Sequence, residues 1–352
     1  MNASFQLDLL ARIQRLIADG SFVATYKFAL LQALADLAVE RIPEEDGSLR
    51  IPIADIGEKF IEYYWQQSYP LPDYAADGEG GVLWQNTGQS QAAIVSAIRE
   101  ARRQVGCGSL AKLRANARRW SALRNLVSRT VEIMPLGKLQ TIEGHQDTFL
   151  YSNDGWDEEG GAIRLRVGVP LALRTFHGLI IALSRDRWVQ HLRSIPANQS
   201  LIGERIDLYR FLFESSRDTL ESYRAVLHDY QRGACFYCGK PVTEGVVDHF
   251  VAWARYPVDT PHNFVLADSR CNGQKSDYLA AREHLCKWAE TNLSGSELSE
   301  RFDAAGVIHD AERSRQIALW AYEQGEQGGS FVWVAGKQFL PLTPDWRQCF
   351  GG

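Results

Sequence analysis

The chain has few cysteines, no net positive charge and no long apolar run, and each absence excludes a class of protein. Six cysteines in 352 residues, three of them inside one short segment, are too few and too unevenly spaced for a disulfide framework. Metal binding in a reducing cytoplasm is the better expectation for that segment. No apolar stretch approaches the roughly 18 residues of a membrane span, and the amino terminus lacks the pattern of a secretory leader, so a soluble cytoplasmic protein without a membrane span is expected. A formal charge of −5 excludes a uniformly basic nucleic-acid binder, which leaves local clusters of Lys and Arg as the place to look. Repeats and low-complexity tails are absent too.

What is present is ample core material, 45% apolar and 11% aromatic, enough for two domains. The fold class expected is α+β: a mainly helical domain over 1–200, then a second domain over 201–352. Helical spacing predicts two helices within 5–41, punctuated at Gly20 and Ser21, and a third from Ile53 to Tyr64. A long helical stretch over 88–129 is broken near Gly106–Gly108, and helices resume over 171–192 and 201–231. Two hairpins are expected, one pairing 148–151 with 162–169 across the acidic turn 153–161, the other over 331–342 with its turn at 335–337.

Chemistry concentrates in the run CFYCGKPVTEGVVDHFVAWARYPVDTPHNFVLADSRCNGQKSD, which begins at Cys235. It contains a Cys-x-x-Cys knuckle, the Asp248-His249 pair, Asn263 and Cys271-Asn272-x-x-Lys275, in that order. This run resembles the HNH, or ββα-metal, endonucleases in their His-Asn-Asn form, over about 45 residues within a core of 232–286. The resemblance implies that His249 is the general base, that Asn263 holds His249 or its loop, and that Asp248 and Asn272 share one divalent cation. A neutral imidazole suits proton abstraction from water near neutral pH. Carboxylate and amide oxygens suit Mg²⁺, or Mn²⁺, better than Zn²⁺. Lys275, one helical turn beyond Asn272, is expected to meet the phosphate as a point charge. His262 is expected to pack the loop. The products implied carry 5′-phosphate and 3′-hydroxyl ends, and a single module implies nicking.

The resemblance also implies a structural zinc on Cys235, Cys238 and Cys271, with Asp268 standing where the family carries its fourth cysteine. Three outcomes stay open: zinc completed by Asp268, completion by Cys286, or no zinc. Cys107 and Cys349 are expected to be ordinary thiols. Elsewhere, nine Lys or Arg lie between Arg99 and Arg129 against the single acid Glu100. Arg102, Arg103, Lys112, Arg114, Arg118 and Arg119 are therefore candidates to bind the DNA backbone. Against that stands a solvated helix face paired with acids such as Asp154, Asp157, Glu158 and Glu159, or an autoinhibitory contact with them. A large helical domain ahead of an HNH module also resembles the nucleases of bacterial anti-phage defence, including the HNH component of type II Zorya, which implies protein partners. An RNA-directed nuclease and a non-catalytic zinc-ribbon protein are the rival readings.

Overall fold

The computed structural model describes residues 3–19, 23–72, 74, 80–88, 90–105, 109–152, 161–203, 206–214 and 220–351. The chain is α+β and divides into two compact units, 1–214 and 215–352. The break at 107, the acidic turn 153–160 and Cys107 lie outside the described residues. Among the described residues no helix is long and apolar enough to cross a membrane.

In the amino-terminal unit the helices are α1 (Ala3–Asp19), α2 (Tyr26–Glu40), α3 (Ile53–Gln67), α4 (Ala93–Val105), α5 (Leu110–Ala115), α6 (Ala117–Val131), α7 (Val169–Thr175), α8 (His177–Ser194), α9 (Pro196–Gln199) and α10 (Leu208–Phe213). The strands are β1 (Leu49–Pro52), β2 (Thr141–Ile142), β3 (His145–Gln146) and β4 (Ala162–Leu165). Apolar side chains surround α2 on nearly every face, so it is buried as the central helix. Two acids on it then need partners: Asp36 accepts from Tyr63 at 2.5 Å and pairs with His177 at 2.7 Å, and Glu40 pairs with Lys59 at 2.5 Å. Burial alone would raise the Asp36 carboxyl, but the His177 hydrogen bond and the Lys59 charge bring it below its ordinary range. Arg174 donates to the carbonyls of Ala38 and Val39, satisfying the last turn of α2. Gly57 lets α3 approach α6, since a Cβ there would stand 2.4 Å from Ser128 Oγ.

One expectation changes here, and one boundary is sharpened. The strand 162–165 pairs along its length with Leu49–Pro52, and only a single bridge, Tyr151 with Leu165, remains of the expected hairpin. Burial decides this, because Leu49, Ile51, Ile163 and Leu165 all enter the core. The unit also extends past 200, because Leu208 and Leu212 of α10 are buried in its core and Phe213 meets Trp188 edge-on.

The carboxy-terminal unit comprises α11 (Glu221–Tyr230), β5 (Val246–His249), β6 (Phe264–Ala267), α12 (Ser269–Lys275), β7 (Leu279–Ala280), α13 (Arg282–Trp288), α14 (Ser296–Ala304), α15 (Ala311–Gln327), β8 (Phe331–Ala335) and β9 (Gln338–Pro341). Strands β5 and β6 are antiparallel, with Asp248 opposite Val265 and His249 opposite Phe264. Leu227 of α11, Phe264 and Leu266 of β6, and Leu298 and Phe302 of α14 form a core behind them. The hairpin expected over 331–342 is present as β8 and β9, and β7 joins its β8 edge in parallel. Trp333 of β8 stacks on His284 and meets Tyr237 edge-on, which ties this sheet to the cysteine knuckle.

Cys286 and Cys349 are joined in a disulfide across 63 residues, linking α13 to the closing 3-10 helix, so Cys349 is not the ordinary thiol expected and Cys286 is not spare for a metal. The spacing gave no hint of it, because α13 and residues 344–350 meet only after α14, α15 and the hairpin have folded between them. Chain entropy alone puts the stabilisation at about 4 kcal/mol for such a loop. Cys286→Ser should therefore lower the urea midpoint of the full chain to that of the dithiothreitol-treated wild type. A wild-type midpoint indifferent to the reductant would show the pair open in solution.

Candidate active site and metal centre

The site is built on β5, β6 and α12. Successive residues of a strand face opposite sides, so Asp248 and His249 part company at the end of β5. Asp248 turns inward, where Tyr237 donates to its Oδ2 at 2.5 Å and the Lys275 ammonium lies 3.1 Å from Oδ2 and 3.3 Å from Oδ1. Lys275 also donates to the His249 carbonyl at 2.8 Å. Burial first, then the Asp248 carboxylate, push the Tyr237 phenol well above its ordinary value, so it stays protonated and donates.

The Lys275 side chain is 0% exposed, which corrects the expectation of a phosphate contact. In a helix of only seven residues, sequence spacing does not say which face turns inward. Here the buried Asp248 carboxylate decides it, because an unpaired charge at that depth would be costly.

The His249 ring lies on the other side, edge-on to Phe264 at 4.8 Å and to Trp253 at 5.4 Å. Its Nε2 hydrogen-bonds to Asp259 Oδ1 at 2.8 Å, not to Asp248 or Asn272. Sequence reasoning missed Tyr237, the partner of Asp248, and it missed Asp259. The signal for Asp259 was weak, an Asp in the turn-forming run Pro257-Val-Asp-Thr-Pro261.

Asn263 acts on the loop. Its Oδ1 accepts from the Val251 amide at 2.8 Å, its Nδ2 donates to the Val251 carbonyl at 3.0 Å, and its own carbonyl accepts from Phe250 at 2.7 Å. Residues 250–263 are thereby closed into a loop whose two ends meet beside His249. His262 is buried and bonded to the Asn292 carbonyl and to His309, as a loop-packing residue would be.

The fit of a divalent cation can be judged from the donors. An ionised carboxylate offers about four acceptor positions. Three at Asp248 are taken, which leaves one on Oδ1, enough for a monodentate ligand. Asn272, half-buried on α12 one turn before Lys275, carries an amide oxygen, a hard donor of the kind such a cation takes.

The thiols of Cys235, Cys238 and Cys271 converge, with all three sulfurs within 4.8 Å of one another. The knuckle turns on Gly239, whose φ is +70°, and the Phe236 amide pins it to the Leu266 carbonyl. Burial and the neighbouring Cys238 thiol push Cys271 up to about 12. Three thiols so crowded resist sharing negative charge, and a divalent cation would relieve that, so the set fits three of the four ligands of a zinc site, with the fourth supplied by neither Cys286 nor a further member of the cluster among the described residues. Asp268 is not a member of the cluster. Its Oδ1 caps α12 by accepting from the Arg270 amide at 2.9 Å.

Comparison with known families bears on the other unit. The profile of a domain of unknown function, DUF8808, matches residues 6–212, more than half of the chain. The chain belongs to the DUF8808 family. No curated protein and no solved structure matches it. The DUF8808 match stops at the end of the amino-terminal unit, so the cysteine and histidine clusters lie outside it.

Within the DUF8808 unit the six basic candidates divide into two groups. Arg114 pairs with Glu62 of α3 at 2.7 Å and lies over Trp120, while Arg102 donates to Ser68 and lies over Tyr69. Arg119 donates to the Gln104 carbonyl. These three are partly buried and serve the helix packing, as does Arg124 through Glu58. Arg103, Lys112 and Arg118 are exposed, Arg103 with Glu100 3.8 Å away. The DUF8808 unit thus already neutralises part of the charge that the sequence concentrates there.

Proposed function

We propose that this chain is a divalent-metal-dependent endonuclease of the HNH type that hydrolyses DNA phosphodiester bonds. One observation carries the reading: an antiparallel hairpin runs directly into a helix, with Asp248 and His249 ending its first strand and Asn263 clasping the loop between the strands.

Asp248 and Asn272 would hold Mg²⁺, which supplies charge stabilisation for the phosphate oxygens and the leaving oxygen when bound. His249 takes a proton from water as the water oxygen bonds to phosphorus, and the phosphorus–oxygen bond on the opposite side breaks. Lys275 and Tyr237 orient Asp248, and Asn263 keeps the His249 loop closed. Zinc on Cys235, Cys238 and Cys271 would pin the knuckle to the start of α12, a structural task. The exposed Arg103, Lys112 and Arg118 are proposed as backbone contacts for DNA, and the order of the two units supports a role in anti-phage defence with protein partners.

Supercoiled plasmid, single-stranded DNA and RNA incubated separately with the full chain and Mg²⁺ test this. Nicked circles should accumulate first from the plasmid, and EDTA should stop them. Degradation of RNA with the plasmid intact would move the activity to RNA. No cleavage of any of the three would end the nuclease reading.

A further inference from the structure

The Asp259 contact deepens the nuclease reading and rests on it. We propose that Asp259 is the positioning residue of the general base: it holds His249 as the Nε2–H tautomer, so that Nδ1 carries the lone pair that receives the proton of the attacking water.

The argument is one of proton inventory. A carboxylate only accepts, so the 2.8 Å contact between His249 Nε2 and Asp259 Oδ1 requires the proton on Nε2. A neutral imidazole has one N–H, and Nδ1 is then bare. When Nδ1 takes the proton from water, the carboxylate already faces the cation that forms, with no rearrangement needed.

The placement is enforced from three sides. Phe264 and Trp253 fix the plane of the ring. Lys275 holds the His249 carbonyl. Asp259 itself stands just before the turn in which the Asn263 amide donates to the Thr260 carbonyl at 2.9 Å, so the clasp of Asn263 on Val251 carries it back over the ring. Asn263 thus acts on His249 through the loop that delivers Asp259.

The test uses the full chain labelled with ¹⁵N-histidine, with the His249 resonances assigned by their loss in His249→Ala. Wild type should show the Nε2–H form at His249, and Asp259→Ala should show a mixture of tautomers. In the cleavage assay Asp259→Ala should lower kcat by about 10²- to 10⁴-fold, the range for losing a tautomer-holding carboxylate, with KM for DNA unchanged. Asp259→Glu should recover much of the rate. Asp259→Asn, nearly isosteric, gives the same kinetic comparison should the alanine variant unfold.

An unchanged tautomer in Asp259→Ala, or a wild-type kcat in both variants, overturns the proposal while leaving the nuclease reading standing. A raised Mg²⁺ requirement at unchanged kcat would make Asp259 a cation ligand and overturn it as well. A wild-type protein that cuts nothing fails the nuclease reading instead, and the tautomer measurement still reports on Asp259.

Discussion

His249→Ala is expected to lower the rate of plasmid nicking by about 10²- to 10⁴-fold, the range for removing a general base, while the protein remains folded. The separation is expected because the ring sits at the margin of the core rather than in it: its side chain is 12% exposed, and its contacts are with the edges of Phe264 and Trp253 and with Asp259. Truncation removes a polar group together with part of its contact, and leaves behind no sealed cavity and no deeply buried charge. Circular dichroism and the thermal midpoint should therefore stay close to wild type. A variant that cuts at the wild-type rate would remove His249 from the mechanism.

The largest effect on stability is expected from Lys275→Met. Its ammonium is wholly enclosed, and the Asp248 carboxylate it faces is 8% exposed, with Tyr237 as its other partner. Taking the cation away while the carboxylate stays buried should cost about 3–5 kcal/mol, read as a lowered urea midpoint of the full chain. The double variant Asp248→Asn with Lys275→Met should recover a large part of that loss, since both charges then leave together. A single-variant loss under about 1 kcal/mol, the range of exposed pairs, would show that water reaches the pair. The same substitution should also cut activity, because Lys275 holds the His249 carbonyl and orients Asp248.

Much of this was legible in the sequence, and the reasons differ from one element to the next. Helix α2 announced itself by spacing, and the hairpin β8–β9 by alternation around its turn. The hairpin and helix around His249 follow from a motif whose residues are local, within about 45 positions. What stayed hidden depends on contacts that only the folded chain creates. The pairing of β1 with β4 joins two four-residue strands more than a hundred positions apart. The disulfide needs α13 and the last helix to meet. Asp259 reads as a turn residue until Asn263 closes the loop, and Lys275 reads as an outward lysine until the burial of Asp248 gives it a partner.

The pairing of Arg114 with Glu62 and of Arg124 with Glu58 bears on how tightly a polyanion could be held. Small ions condensed on a nucleic acid are expelled only by charges that reach its phosphates, and each such contact steepens the fall of affinity with added salt. An arginine already spent on a neighbouring helix expels none. If the segment binds DNA as proposed, the salt dependence should follow the few outward cations, Arg103, Lys112, Arg118 and Arg129, and not the nine basic residues that the segment contains.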